Sequence, residues 1–192
     1  MSALVRILQA GPGVSAAVLG LYRMPGSYAG RKSNLAINDV VLDTLTNLDG
    51  KLRSRRVVVA TALGSGLPAV KADRAQIRQA LSILIENAME AMDDVASRAR
   101  LLRIRTERHA RGILVTVADS GRGIDPRASD RMFEPTYTTK PKNAGLGLPI
   151  CRSIIVAHGG RVWARPGETC GAVLQVILPG APSSGDANDP NA

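Results

Sequence analysis

The sequence predicts an α/β fold in which helices and strands share one core, and three observations carry that expectation. Residues 34–52 and 73–92 place apolar side chains at helical spacing. LLRIRTER and ILVTVAD (101–108 and 113–119) alternate apolar with polar residues, the period of a half-buried strand. VVVATAL, within residues 56–63, is β-branched and follows a basic run, which reads as a further strand. The chain has 192 residues, enough for one core and a small appendage. One Phe, one Trp and three Tyr are its whole aromatic complement, so that core must be aliphatic.

Taken in order, residues 2–21 are apolar but broken by Arg6, Gln9, Gly11, Pro12, Gly13 and Gly20. They predict a helix kinked at Pro12 rather than a signal peptide or a membrane span. Pro25 to Ser33 is a connector. The helix over 34–52 has Ser33 or Asn38 as its candidate cap and Val40, Val41, Leu45, Leu48 and Leu52 on its apolar side. Leu67-Pro68 and Val70 lead, extended, into the next helix. There Asp73 and Gln76 form a capping box, and Ile77, Leu81, Leu84, Ile85, Ala88 and Met92 form the buried stripe. Ile83, Asn87 and Glu90 fall on another face. The alternating pair that follows is a hairpin turning at His109 to Gly112 and ending at Asp119.

Residues 125–145 hold Pro, Lys and Thr with little apolar periodicity, the composition of a mobile surface segment. Gly145-Leu146-Gly147 then opens a helix with Leu148, Cys151, Ile154 and Ile155 as its stripe and Gly159-Gly160 as its C-cap. RVWAR and AVLQVIL are closing strands. The last fourteen residues, PGAPSSGDANDPNA, have no basic residue, and a disordered tail is expected from residue 180.

Net charge is +9, which draws the body of the protein to anions: nucleotide phosphates, an acidic partner domain, nucleic acid or anionic lipid. Arg53, Arg55, Arg56, Arg98, Arg100, Arg103, Arg105 and Arg108 raise a nucleic-acid reading. They lack interleaved aromatics for base stacking, so they read as solvated faces, and nucleic acid is not expected as a partner. Cys151 and Cys170 show no metal-ligand spacing and fit reduced thiols in the cytoplasm.

Two features carry chemistry. In DSGRGI (119–124) an acidic residue closes a core strand, and two alternate glycines let the backbone approach a flat ligand that the carboxylate can hydrogen-bond. A glycine-rich loop running into a helix at 145–147 is a ready anion site, because free N–H groups and the helix dipole point the same way.

ENAMEAM, DSGRGID, FEPTYTTK and GLGLPICRSIIVAHGG, in this order and spacing, resemble the N, G1, F and G2 boxes of the ATP-binding catalytic domain of sensor histidine kinases. That family shares a superfamily with gyrase, the ninety-kilodalton heat-shock chaperone and the mismatch-repair ATPases. The resemblance spans roughly residues 35–178. It implies a two-layer α/β sandwich of the Bergerat type, a mixed and mostly antiparallel sheet backed by helices. It also implies a catalytic domain over residues 34–179, preceded in 1–33 by a remnant of the dimerisation and phosphoacceptor hairpin.

The same resemblance implies the roles. Asn87 would be the Mg²⁺ ligand and a catalytic residue, since a neutral amide oxygen suits a hard cation. Asp119 would read the adenine amino group, with Gly121, Gly123 and Ile124 around the base. Residues 134–144 would form a lid, with Thr139, Lys140 and Lys142 near the phosphates and Lys140 assisting transfer. Gly145, Leu146 and Gly147 would present N–H groups to those phosphates. The implied ligands are ATP and Mg²⁺, and the implied partners a response regulator or phosphoacceptor protein, with a homodimer possible and no membrane.

Three departures bear on activity. The first helix of the hairpin, with its phosphoacceptor histidine, is absent from these residues, and His109 and His158 read as turn histidines. The acceptor is therefore expected from another chain or a missing segment. Ile83 stands where the hydrolysing relatives carry a general-base glutamate, and an aliphatic side chain cannot take a proton from water. Glu86 points about 100 degrees further round the helix. Asn143 replaces the first glycine of the G2 box, and Pro149 a small polar residue. A nucleotide-binding regulatory module without kinase activity is the alternative function.

Overall fold

The structure, a computed structural model, describes residues 31–129, 131–134 and 146–181. The elements in order are β1 (Ser33–Leu35), α1 (Ile37–Ser54), β2 (Val57–Leu63), β3 (Val70–Ala72), α2 (Arg74–Met92), β4 (Arg100–His109), β5 (Gly112–Asp119), α3 (Gly147–Ala157), β6 (Arg161–Pro166) and β7 (Ala172–Pro179). Two short 3-10 turns, Pro126–Ala128 and Arg131–Phe133, follow β5. The kinked helix expected around Pro12, most of the expected lid, Thr139, Lys140, Lys142, Asn143, Gly145 and most of the expected tail lie outside the described residues.

Five strands form one sheet in the order β2-β4-β5-β7-β6, and β1 pairs with β3 in a separate two-stranded ribbon. The β2–β4 pair is parallel and the other pairs are antiparallel, which is the mixed, mostly antiparallel sheet expected. Alternation along the strands decides the layers. Leu102, Ile104 and Thr106 of β4, Ile113, Val115 and Val117 of β5 and Leu174, Val176 and Leu178 of β7 face the helices and are buried. Arg103, Arg105, Thr116, Gln175 and Trp163 face the opposite side and are at least partly exposed. All three helices pack on the first face, giving two layers over one core. That core is aliphatic, with Phe133 as its one aromatic member among the described residues. No helix among them is long and apolar enough to cross a membrane.

Helix α2 is the central element of the helical layer. Asp73 caps it by accepting from the Gln76 N–H, and the predicted stripe is buried in full, joined by Ala80 and Met89. Each large apolar side chain buried in this way contributes about 1.5–3 kcal/mol. Helix α3 ends in a Schellman motif. Gly159 adopts φ +72°, its N–H bonds Val156 O, and the Gly160 N–H bonds Ile155 O.

Several expectations need correction. The first helix starts at Ile37 rather than Asn34, because Ser33–Leu35 is pulled into pairing with Val70–Ala72, the segment expected to be a bare connector. Neither Ser33 nor Asn38 caps the helix. Asn38 instead ties α1 to the sheet, donating to Gly64 O at 2.8 Å and accepting from Thr106 Oγ1 at 2.7 Å. In α3 the buried face holds Pro149 with Cys151, Ile154 and Ile155, while Leu148 is only partly buried. The segment after Asp119 is not featureless, since Phe133 inserts into the core beside α3.

Candidate functional site

The site is organised along one ridge of α2. Ile83, Asn87 and Ala91 are successive i, i+4 positions and so lie one above another on the same face. A Cβ on Gly147 would sit 3.4 Å from Ile83 Cγ2, so the N-terminus of α3 abuts the lower end of the ridge. A Cβ on Gly121 would sit 2.5 Å from Ala91 O, and the Arg122 N–H bonds that same carbonyl at 3.1 Å, so the loop leaving β5 abuts the upper end. Asn87 lies midway, partly exposed. The two ends are about 12 Å apart along the helix axis, at 1.5 Å per residue.

Asp119 ends β5 opposite Leu102 of β4 and is buried, at 7% exposure. A buried carboxylate is costly unless bonded. Its Oδ1 accepts from the Gly121 N–H at 2.7 Å and from the Ala172 N–H at 3.3 Å, which fixes its orientation from the loop after β5 and from β7 at once. The glycines nearby are required by the packing. Gly123 has φ +84°, a conformation that L side chains rarely adopt, and a Cβ on Gly171 would collide with Asp119 O. Ile124 is partly buried against the core.

Residues the motifs did not mark also hold this corner. Arg98 donates through Nε to Ser120 O at 2.9 Å and through its guanidinium to Gly121 O at 2.7 Å. Ser120 Oγ accepts from the Leu101 N–H and donates to Ala99 O, both at 2.9 Å. The Ala172 N–H comes from the first residue of β7, which the sequence marked only as the start of a closing strand. Nothing in the sequence distinguished Arg98 from its neighbouring arginines. Those neighbours serve the fold: Arg53 pairs with Asp49, Arg55 with Asp93 and Arg105 with Glu107, Arg100 bonds Arg55 O and Asp93 O, and Arg108 bonds Gly66 O.

Glu86 turns away from the ridge to an ion pair with Lys51 of α1. His158 is buried, its Nδ1 against Ile154 O at 2.8 Å and its Nε2 accepting from the Asp73 N–H at 3.1 Å. These partners set the tautomer with the proton on Nδ1 and make His158 a pin between α2 and α3. His109 Nδ1 accepts from the Arg111 N–H at 3.2 Å in the hairpin turn. Cys151 is fully buried, and desolvation pushes its thiol up to about 12. The structure thus brings Asn87, Asp119, Gly121, Gly123, Ile124, Leu146 and Gly147 to α2 and its two flanking loops.

Comparison with known proteins gives the family and the fold. Residues 72–182 match the family described as histidine kinase-, DNA gyrase B-, and HSP90-like ATPase. The sensor protein TdiS of Thauera aromatica is 40% identical over 146 residues, 74% of this chain and 26% of that protein. The chain spans about a quarter of the length of the curated relatives it matches. The catalytic domain of histidine kinase ThkA, in a nucleotide-free form, superposes with a TM-score of 0.69 at 29% identity, covering 78% of this chain and 95% of that one. ThkA in complex with the response regulator TrrA gives a TM-score of 0.67 at 28% identity, over 79% and 42% of the two chains. Full-length ShkA in complex with AMPPNP gives 0.73 at 25% identity, over 88% and 34%. The α/β sandwich expected from the motifs is the fold of these catalytic domains.

Proposed function

We propose, for a chain that belongs to the histidine kinase-, DNA gyrase B-, and HSP90-like ATPase family, that its ATP-binding domain transfers the γ-phosphoryl group of Mg-ATP to a histidine. That histidine comes from another chain or from a segment beyond these residues. The observation that carries the reading is Asp119, a carboxylate fixed by two backbone N–H groups at one end of the α2 ridge, with the N-terminus of a helix at the other end. A base read by Asp119 and phosphates gathered at 145–147 would lie along Ile83, Asn87 and Ala91.

The donor set fits the ligands. Asn87 offers a neutral amide oxygen on the exposed side of α2, suited to Mg²⁺ among phosphate oxygens. When bound, Mg²⁺ neutralises charge on the phosphates as the terminal one departs. The N–H groups of Gly145, Leu146 and Gly147 are the proposed phosphate donors, and Thr139, Lys140 and Lys142 the proposed lid contacts. In the transfer the acceptor imidazole nitrogen forms a bond to the γ-phosphorus as the bond to the β,γ-bridging oxygen breaks and ADP leaves. Most of the work is positioning and charge stabilisation. Water is a poor competitor because Ile83 cannot take its proton and Glu86 is held by Lys51.

His158 does not suit the acceptor role, since it is buried and bonded at both nitrogens, and His109 pairs with Gly112 at the opposite end of the β4–β5 hairpin from Asp119. A cytoplasmic setting, a homodimer through the hairpin remnant in residues 1–33 and a response regulator as final acceptor complete the proposal. ThkA, solved with its response regulator TrrA, supports the last of these. The test incubates the protein with γ-labelled ATP and separately produced phosphoacceptor hairpins. Acid-labile, base-stable label on a hairpin is expected. Bound nucleotide with no label on any hairpin would overturn the transferase reading.

A further inference from the structure

A second concave site lies at the far end of the sheet from Asp119. It is a cleft of about 570 Å³ lined by His109, Arg111, Gly159, Gly160, Arg161, Trp163, Ile177 and Pro179. Strand β5 begins at this end and finishes at Asp119, which puts the two sites about 24 Å apart at 3.4 Å per residue. The cleft is independent of the nucleotide site, and no step proposed above uses it.

Its chemistry is one-sided. Two arginines and a histidine line it, and no carboxylate does. Neither Arg111 nor Arg161 forms an ion pair among the described residues, whereas Arg53, Arg55 and Arg105 do. His109 accepts at Nδ1 from the Arg111 N–H, so its ring proton sits on Nε2 as a further donor. Trp163, Ile177 and Pro179 supply the apolar walls. The cleft is half open to solvent, so it suits a segment laid across it rather than an enclosed small ligand.

The aromatic residue discriminates between anions. The Arg161 guanidinium stands over the Trp163 ring, 5.8 Å from its centroid, and the Trp163 Nε1–H bonds Gln175 Oε1 at 3.1 Å. A ring covered in this way is not a platform for a nucleobase, and single-strand binding depends on such platforms. Arginine beside tryptophan and aliphatic walls is instead the composition of protein-interface hot spots, and a guanidinium fork matches a carboxylate in two parallel bonds. We infer that this cleft is a docking site for an acidic segment of a partner protein, its carboxylates on Arg111 and Arg161 and its apolar neighbours against Ile177 and Pro179.

Trp163 is the only tryptophan in the chain, so its fluorescence reports this site alone. The test titrates the full chain with a fluorophore-labelled octapeptide of alternating Glu and Leu, reading peptide anisotropy and Trp163 emission together. Saturable binding is expected, with an apparent Kd at least tenfold weaker in Arg161→Glu and in Arg111→Glu. Arg103→Glu, on the same sheet face outside the cleft, should bind as the wild type does. ATP affinity should be unchanged in all three, which establishes that they fold. Equal losses in Arg103→Glu would reduce the effect to general surface charge and overturn the proposal. So would a Trp163 response reproduced by inorganic phosphate, by phosphatidylserine vesicles or by duplex DNA at matched ionic strength. If the peptide binds only after residues 182–192 are deleted, the cleft belongs to the chain's own acidic tail and not to a partner.

Discussion

Arg98 places a guanidinium on two consecutive carbonyls, Ser120 O and Gly121 O, and so holds the loop that Asp119 begins. Hydrogen bonds from a charged donor contribute about 1.5–3 kcal/mol when well shielded, and less at a side chain as exposed as this one. Arg98→Ala should therefore weaken ATP binding several-fold while shifting Tm by only a few degrees; isothermal titration beside a melting curve checks both. Arg98→Lys restores charge but not the two-pronged geometry, so it should recover little of the loss. Asp119 was legible in the sequence because an acidic residue followed by two alternate glycines is a local pattern. Arg98 was not, because its role comes from the contact between the 95–99 loop and the 120–121 backbone, which no local pattern encodes. Asn38 was misread as a cap for a related reason: its partners, Gly64 and Thr106, are remote in sequence.

At the scale of elements, α2 serves both the core and the site, and its glycine neighbours differ in how tightly they press on it. A methyl group on Gly121 would meet the Ala91 carbonyl at 2.5 Å, against rigid backbone at both ends of the contact. Gly121→Ala should cost about 1–3 kcal/mol of stability, the usual penalty of overpacking, and should weaken nucleotide binding as the loop shifts. Gly147→Ala meets only the Ile83 side chain at 3.4 Å, ordinary van der Waals contact, so Tm should stay within a few degrees of wild type. Denaturant titration of the pair separates the two cases. Helices and strands were legible as elements because their periods are strong. The 33–35 strand was not, since three residues carry no period, and it exists through its pairing with 70–72. The buried Phe133 was hidden in a segment whose composition otherwise reads as surface.

For the whole molecule, the aliphatic core carries a titratable group that shapes its alkaline limit. Burial pushes the Cys151 thiol up to about 12 from an ordinary value of 9.0. Above pH 9 the unfolded chain releases this proton while the folded one retains it. The folded state then binds more protons, and stability falls as pH rises. The loss is absent below pH 9 and grows at up to about 1.4 kcal/mol per pH unit until the folded thiol itself ionises. Denaturant melts between pH 8 and pH 11 should show a steeper decline for wild type than for Cys151→Ala. Cys170, only partly buried, should react with a thiol reagent in the native state while Cys151 does not. The layered architecture was legible because four motifs in fixed order carry it, whereas the cleft around Trp163 was not, being assembled from a hairpin turn, a helix end and two strand ends.

The central claim is that Asp119 selects adenine at one end of the α2 ridge. Titration of a fluorescent ATP analogue into the wild type and Asp119→Asn, each with and without Mg²⁺, tests it most directly, with a thermal melt as the control for folding. The account predicts saturable, Mg²⁺-enhanced binding by the wild type and an affinity about ten- to one-hundred-fold lower in the variant, from the loss of a charge-assisted bond. Equal affinities for the two proteins at equal Tm, or no binding by a folded wild type, would contradict it.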